Sequence, residues 1–165
     1  MDLKSFLIKK GNHRSGFYPN IHFGLKNLKY QVLFTDSCLY KFNDVDDFDI
    51  NKLFGISFGF HHKNSARFGW NVEEGQIAIY AYCYKLGIRY SRRIAIIPIN
   101  KIFIFEINTY DVYFEFKITN YDGKIISLAN IAKAKCCKWG YKLFPYFGGN
   151  KTAPHTMTIK MKEFN

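Results

Sequence analysis

The clearest structural pattern in the sequence is QIAIYAYCYK, residues 76–85. Aliphatic or small residues occupy the odd-numbered positions from 77 to 83, and tyrosines occupy positions 80, 82 and 84. Strict alternation of this kind is typical of a β-strand, because successive side chains point to opposite faces of a sheet. We therefore predict a strand with one aliphatic face in a core, Cys83 included, and a row of tyrosines on its other face.

The same period-two pattern recurs along most of the chain. Further segments that show it are residues 28–34, 56–60, 66–70, 112–119 and 157–162. Asp122-Gly123 favours a hairpin turn, and only residues 125–138 have a pattern compatible with a short helix. Many short strands with almost no helix predict an all-β fold, an antiparallel two-sheet β-sandwich of jelly-roll or concanavalin-like type. A closed barrel is the alternative. We expect residues 1–165 to form one domain.

Composition excludes several classes of protein. The chain has 165 residues, 48% of them hydrophobic and 19% aromatic, which is too apolar for a disordered protein and unlike a collagen, a coiled coil or a disulfide-rich miniprotein. No apolar run is long enough for a membrane helix, and the first residues are too polar for a signal peptide. The four cysteines form no C-x-x-C motif. We therefore expect a reducing compartment, the cytoplasm of the cell that makes the protein, with a virion as a second location.

The net charge of +11 is concentrated in the second half of the chain. Residues 1–82 carry 10 basic and 8 acidic side chains, whereas residues 83–165 carry 14 basic and 5 acidic ones. A field of one sign attracts nucleic acid and other polyanions, although a composition rich in Lys, Asn and Ile is also typical of AT-rich codon usage. The candidate polyanion-binding residues are Lys133, Lys135, Lys138, Lys142 and Lys151.

Acidic residues are concentrated in NDVDDFD, residues 43–49. The spacing is similar to that of a calcium loop, but the glycine at the sixth position and the closing glutamate are missing. We interpret the segment as an acidic surface loop. We expect no metal and no cofactor.

Two polar and aromatic clusters are candidates for ligand binding. One is FGFHHKNSARFGW, residues 58–70, and the other is the tyrosine row with the arginines that follow it. Tyrosines on an open sheet face can stack on sugars or bases, and arginines pair with carboxylates or phosphates. His61 and His62 are expected to point to opposite faces of a strand, which disfavours a shared metal. The candidate ligand-binding residues are Tyr80, Tyr82, Tyr84, His62, Arg67 and Arg89. Burial of the tyrosine row under a second sheet is the alternative.

A third cluster spans residues 139–156 and includes Tyr141, Lys142 and Tyr146. With Arg67 and Gln76-Ile77, it resembles the motifs of concanavalin-like sandwiches of the alginate-lyase type, which carry an arginine strand, a Gln-Ile-His strand and a C-terminal Tyr-Phe-Lys-x-Gly-x-Tyr strand. The resemblance implies polysaccharide-lyase chemistry on the same fold. Ala78 occupies the position of the histidine, however, so the general acid/base pair of a lyase is incomplete.

A second resemblance is to small uncharacterised proteins of phages and prophages of Bacteroidetes. It rests on residues 49–55 (DINKLFG), 61–70 (HHKNSARFGW) and 146–149 (YFGG). This resemblance implies a phage accessory, virion or host-interaction protein, and it implies no activity.

These observations favour a non-enzymatic binding or accessory module that recognises a glycan or protein surface. The alternatives are a virion structural or assembly protein, a nucleic-acid-binding protein that uses the basic half, and a polysaccharide lyase. Neither a membrane partner nor a catalytic residue is predicted, and the oligomeric state stays open.

Overall fold

The computed structural model describes residues 2–16 and 20–164, which form two antiparallel β-sheets. The strands are β1 (Lys4–Ile8), β2 (Ile21–Phe23), β3 (Asn27–Phe34), β4 (Asn51–Ser57), β5 (Ser65–Glu73), β6 (Gln76–Lys85), β7 (Ile88–Ile97), β8 (Ile102–Thr109), β9 (Tyr113–Asn120), β10 (Ile125–Ala132), β11 (Trp139–Leu143) and β12 (Met157–Glu163). Two short 3₁₀ turns, Asp36–Cys38 and Val45–Phe48, lie between β3 and β4.

Each sheet has six strands. The first sheet has the order β1-β12-β3-β8-β9-β10, and the second has the order β2-β11-β4-β5-β6-β7. Every pairing is antiparallel. The prediction of an antiparallel two-sheet β-sandwich is confirmed, and the sheets keep separate edges rather than closing into one barrel.

The alternation in residues 76–85 has the predicted consequence. The side chains at positions 77, 79, 81 and 83 are all fully buried between the sheets. The hairpins on either side of β6 turn at Glu74-Gly75 and Leu86-Gly87, where all four residues have positive φ. Two consecutive left-handed residues match the right-handed twist of the paired strands. These turns hold β5, β6 and β7 in one register, and this register positions the outer face of the second sheet.

Aromatic rings fill the space between the sheets. Phe68 on β5 lies at the centre, with ring centroids 5.4 Å from Phe54, 4.9 Å from Phe105 and 5.1 Å from Phe116. Phe105 and Phe116 belong to the opposite sheet, so Phe68 joins the two layers. A substantial part of the aromatic excess of the sequence therefore lies in the core.

Residues 125–138 differ from the sequence expectation. Residues 125–132 form β10, which pairs with β9 through a register shift between Ile125 and Ser127. The short-helix interpretation is therefore wrong. The isoleucines of this segment favour a strand, and β9 supplies a partner that a local pattern does not show. Among residues 2–16 and 20–164, no helix has the length and hydropathy to cross a membrane.

Replacement of Phe68 by Ala tests the central role of this ring. We expect Phe68→Ala to lower the free energy of unfolding by about 3–5 kcal/mol, because it leaves a cavity between the sheets. Phe48→Ala is the matched control, since Phe48 is 80% exposed and its loss should change stability by less than about 0.5 kcal/mol. Urea denaturation of both variants measures the difference, and equal effects would contradict this account of the core.

Candidate functional site

A cleft of about 840 Å³ lies on the outer face of the second sheet, the face that points away from the core. Strands β4, β5, β6, β7 and β11 contribute to it, together with the β4–β5 turn and the segment that follows β11. Its lining includes Arg14, Lys52, His61, His62, Arg67, Tyr82, Tyr84, Arg89, Tyr141, Lys142, Tyr146, Gly148 and Gly149. Aromatic and cationic side chains thus dominate its surface.

The register of the sheet brings the central residues together. Arg67 on β5 is paired with Tyr82 on β6, and Tyr84 is paired with Arg89 on β7. On the other side Arg67 is paired with Gly55 of β4. A Cβ at Gly55 would lie 2.5 Å from Cγ of Arg67 and 2.2 Å from the carbonyl oxygen of Ala66, so only glycine leaves room for the arginine there.

Arg67 forms the floor of the cleft. Its side chain is buried, with only 9% of the residue exposed. Nη2 donates a hydrogen bond to the carbonyl oxygen of Phe144 at 2.8 Å, while Nε has no partner among the described residues. Burial lowers the pKa of the guanidinium to about 10, so it remains charged at neutral pH. Because no salt bridge to Arg67 is found within residues 2–16 and 20–164, this charge is compensated by neutral groups alone.

Lys52 adds a second cation beside Arg67. A bulge in the β4–β5 pairing lies next to it, and Nζ donates to the carbonyl oxygen of Gly148 at 3.1 Å. The ammonium lies 5.3 Å from the ring centroid of Tyr82 and 5.8 Å from that of Tyr146. Burial and the charge of Arg67 lower its pKa to about 8, although Asp49 opposes the shift. Burial is the larger cause, and the neighbouring arginine adds to it.

A histidine and a tyrosine meet at the edge of the cleft. Nδ1 of His61 lies 2.6 Å from Oη of Tyr141, and the backbone N–H of His61 donates to the same oxygen at 3.3 Å. Burial lowers the pKa of His61 to about 4, with further lowering by His62, Arg67 and Arg14. The ring is therefore neutral at pH 7, and Nδ1 can accept the phenolic proton of Tyr141.

His61 and His62 do not follow the sequence expectation. Both lie in the β4–β5 turn rather than in a strand, and their ring centroids are 4.1 Å apart. The prediction that they point to opposite faces is wrong, because strand alternation does not apply to a turn. No group of three or more potential metal ligands occurs in the described parts of the chain.

Two of the three tyrosines of β6 belong to the cleft. The rings of Tyr82 and Tyr84 lie 5.9 Å apart at an interplanar angle of 68°. Burial raises the pKa of Tyr82 to about 12. Tyr80 lies outside the lining and donates to Oε1 of Glu73 at 3.0 Å. The outer face of β6 is thus partly covered by the cleft wall and not buried under a second sheet.

The structure places five of the six predicted ligand-binding residues in one cleft. His62, Arg67, Tyr82, Tyr84 and Arg89 line it, and Tyr80 does not.

Several lining residues were missed by the sequence prediction, namely Arg14, Lys52 and His61. Tyr141 and Tyr146 appeared only through the resemblance to alginate-lyase-type sandwiches. The polar turn at residues 61–65 was a signal for His61, but no pattern links it to Tyr141, 80 residues further along the chain.

The five lysines of the predicted polyanion surface have different surroundings. Lys142 forms an ion pair with Glu163, and Lys151 pairs with both Asp44 and Asp46. Nζ of Lys133 donates to the carbonyl oxygen of Asp111 at 3.2 Å, whereas Lys135 and Lys138 are exposed. Only Lys142 reaches the cleft.

The acidic segment 43–49 supplies the partners of Lys151. Asp44 caps the 3₁₀ turn Val45–Phe48 by accepting from the backbone N–H of Asp46. The ion pairs with Lys151 connect this turn to the segment 148–151, which borders the cleft through Gly148 and Gly149. The segment therefore supports one wall of the site.

No protein-family profile and no curated protein sequence matches this chain. Solved structures do match it. The alginate lyase of Klebsiella pneumoniae superposes with a TM-score of 0.64 and 8% identity over 86% of this chain. An alginate lyase in complex with dimannuronate gives 0.61 and 12%, over 97% of this chain and 72% of its own. Scytalido-glutamic peptidase with a transition-state analogue gives 0.53 and 9%, over 88% of this chain and 78% of its own.

These similarities establish the fold class, a β-sandwich shared with alginate lyases and with a peptidase. The chain spans only 60% of the length of the Klebsiella enzyme. At such identities, function has to be argued from the site itself. The strand register also shows how far Ala78 lies from the cleft. Ala78 is paired with Asn71 and is four residues along β6 from Tyr82. A histidine at Ala78 would thus lie roughly 13 Å along the strand from the floor of the cleft.

The lowered pKa of His61 predicts a specific pH dependence of stability. Below its ordinary value of 6.5 the unfolded chain binds a proton that the folded chain takes up only near pH 4. His61 therefore contributes stability above pH 6.5 that is lost as the pH falls toward 4. We expect His61→Asn to flatten the decline in unfolding free energy between pH 6.5 and 4. Urea denaturation at several pH values in this range measures the unfolding free energy of the variant and of the original protein. If both free energies decline in parallel, His61 is not buried as a neutral ring.

Proposed function

We propose that the cleft binds an acidic oligosaccharide, with a sugar carboxylate at Arg67. The observation that carries the proposal is the buried guanidinium, which has an unpaired Nε and no carboxylate partner within the described chain. A buried charge without a counterion is costly. A carboxylate bound in the cleft would compensate this charge.

The charges around Arg67 support an anionic ligand. Arg14, Lys52 and Arg89 line the same cleft, and no carboxylate is among the described lining residues. Asp49 is the acidic group that affects Lys52; its Oδ2 lies 2.8 Å from the Cβ position of Gly149, and it is not among the lining residues. The cations thus face the open cleft, where an anion would reduce their mutual repulsion.

The rings of the cleft support a sugar as the carrier of that anion. Tyr82 and Tyr84 flank the arginines, and Tyr146 lies across from them beside Lys52. Aromatic faces stack on the apolar faces of sugar rings while their hydroxyl groups form hydrogen bonds. The shared fold of an alginate lyase that holds dimannuronate supports the same class of ligand.

Arg89 provides a test that leaves the fold intact, because its side chain is exposed at the rim of the cleft. We expect Arg89→Ala to weaken binding of uronate oligosaccharides about 10-fold, the value of one charged hydrogen bond. Arg92→Ala is the matched control, since Arg92 is on the same strand but is paired with core-facing Ala81. Calorimetric titration with mannuronate, guluronate and galacturonate oligomers measures the effect.

Arg67→Lys tests the central contact. The variant keeps the charge but loses the planar fork, so binding should weaken more than in Arg89→Ala while thermal unfolding stays cooperative. Titration with single-stranded DNA and with polyphosphate tests the alternative that the cleft is a general polyanion-binding surface. Tighter binding of those polymers than of uronates, or unchanged uronate binding in Arg67→Lys, would overturn the proposal.

A second candidate function is cleavage of the same ligand by β-elimination. It is favoured by the contact of Nδ1 of His61 with Oη of Tyr141, 2.6 Å apart at the edge of the cleft that holds Arg67. In this reaction Arg67 would neutralise the uronate carboxylate, which acidifies the hydrogen at C5. The His61–Tyr141 pair would take that proton and protonate the leaving oxygen at C4, so that a C4–C5 double bond forms as the glycosidic bond breaks.

The test of this second candidate is the ultraviolet absorbance of the unsaturated uronate. If the chain is a lyase, the absorbance rises with uronate polymers, and Tyr141→Phe lowers the rate at least about 100-fold because the proton carrier is lost. Calorimetry on the same variant separates catalysis from binding, since a phenylalanine retains the ring. Binding without any absorbance change would identify a binding module and reject the lyase.

A further inference from the structure

Three aromatic side chains form an exposed group beside the cleft, which we term the aromatic platform: Phe23, Phe60 and Trp139. Phe23 is 81% exposed, Phe60 is 68% exposed and Trp139 is 41% exposed. The rings of Phe60 and Trp139 meet edge to face, with centroids 5.9 Å apart. Most exposed apolar residues occur singly, and a group of rings of this kind marks an interaction site.

The platform lies on the same face of the second sheet as the cleft. Trp139 and Tyr141 are two residues apart on β11 and therefore point to the same side. Phe23 is paired with Trp139, and Ile21 is paired with Tyr141 across β2 and β11. Since Ile21 and Tyr141 line the cleft, Phe23 and Trp139 are the next pair on the same face of these two strands.

We infer that the aromatic platform is an additional sugar-binding subsite, so that the ligand of the cleft is an extended oligosaccharide. The inference rests on the proposed function of the cleft and adds the length and direction of its ligand. A carboxylate-bearing sugar would lie at Arg67, and the chain would run across Tyr141 until a further ring stacks on Trp139. Stacking of sugar rings on exposed aromatic faces needs no charge.

Sheet geometry gives the distance that such a ligand must span. Arg67 and Leu143 lie opposite each other across two strand spacings, through Gly55. Trp139 lies four residues from Leu143 along β11. With about 4.8 Å per strand spacing and about 3.3 Å per residue, the two positions are roughly 16 Å apart. One pyranose ring cannot span this distance, whereas an oligomer of several sugars can.

The charge pattern favours a sugar chain as occupant over a protein. Among the described residues, neither the cleft lining nor the platform contains a carboxylate, and the cations are concentrated at the end where Arg67 lies. A repeating uronate supplies negative charge there and apolar ring faces at every position. A protein partner or a second copy of this chain would also cover the platform, and the experiment separates these outcomes.

Trp139 is a built-in reporter for the experiment. The chain has two tryptophans, and Trp70 is fully buried in the core, so quenching of emission by acrylamide reports mainly on Trp139. We expect uronate oligomers of six or more residues to protect Trp139 from acrylamide, and dimers to give no protection even when they saturate the cleft. If uronate dimers that saturate the cleft also protected Trp139 from acrylamide, the proposed path of the ligand from Arg67 to Trp139 would be wrong.

Ligand length separates the failure of this inference from failure of the proposed function. The double variant Phe23→Ala/Phe60→Ala should weaken binding of the long oligomers at least 10-fold and leave binding of dimers unchanged. Arg67→Lys should weaken both. Tyr121→Ala, which removes an exposed ring from the turn between β9 and β10 of the first sheet, outside the cleft, is the control and should change neither.

Three results would overturn the platform as a sugar subsite. The first is equal affinity of the double variant and the original protein for long oligomers, with binding still dependent on Arg67. The second is a dimer in sedimentation analysis that dissociates in the double variant, which identifies a second copy as the occupant. The third is the absence of uronate binding by the original protein, which would reject the proposed function together with the inference.

Discussion

A single buried guanidinium constrains the outer face of the second sheet. Arg67 has the fully buried Ala66 and Phe68 as its neighbours on β5, so its strand cannot shift by one residue without moving a charge into the core. Desolvation of that charge is costly, and the carbonyl oxygen of Phe144 is the group that accepts its hydrogen bond at 2.8 Å. The segment after β11 is thus tied to β5 by a polar contact at the floor of the cleft. Gly55 is a consequence of the same constraint, because any Cβ there would displace the arginine.

The buried charge of Arg67 also affects the titratable groups around it. Lys52 lies beside Arg67 and has a pKa of about 8 because burial and the nearby positive charge oppose its protonation. The pKa of His61, about 4, has the same causes. Both side chains are partly desolvated beside other cations, so each is harder to protonate than it would be in water. Perturbed groups of this kind concentrate where proteins bind or transform ligands.

Much of the fold could be predicted from the sequence because strand alternation is a local property. The inner face of β6 and the pairing of strands into two layers follow from a period of two and from the size of the aromatic core. The central cluster of the cleft was predictable for the same reason, since Arg67, Tyr82 and Tyr84 lie on the outer face of strands whose pattern is clear. The segment 125–132 was harder, because the strand preference of its isoleucines is a weak local signal and the pairing with β9 decides the structure.

The parts of the site that sequence reasoning missed depend on contacts between distant segments. His61 meets Tyr141 because the β4–β5 turn folds over β11, and neither residue carries a local signal of the other. A charge count also cannot show which lysines after residue 122 are paired, because it leaves out the acids that fold against them. Lys151 is paired with Asp44 and Asp46, and Lys142 with Glu163. The net charge of +11 therefore does not show that Arg67 is desolvated without a carboxylate partner among the described residues; only the fold shows this, because it decides which charges are buried and which are paired.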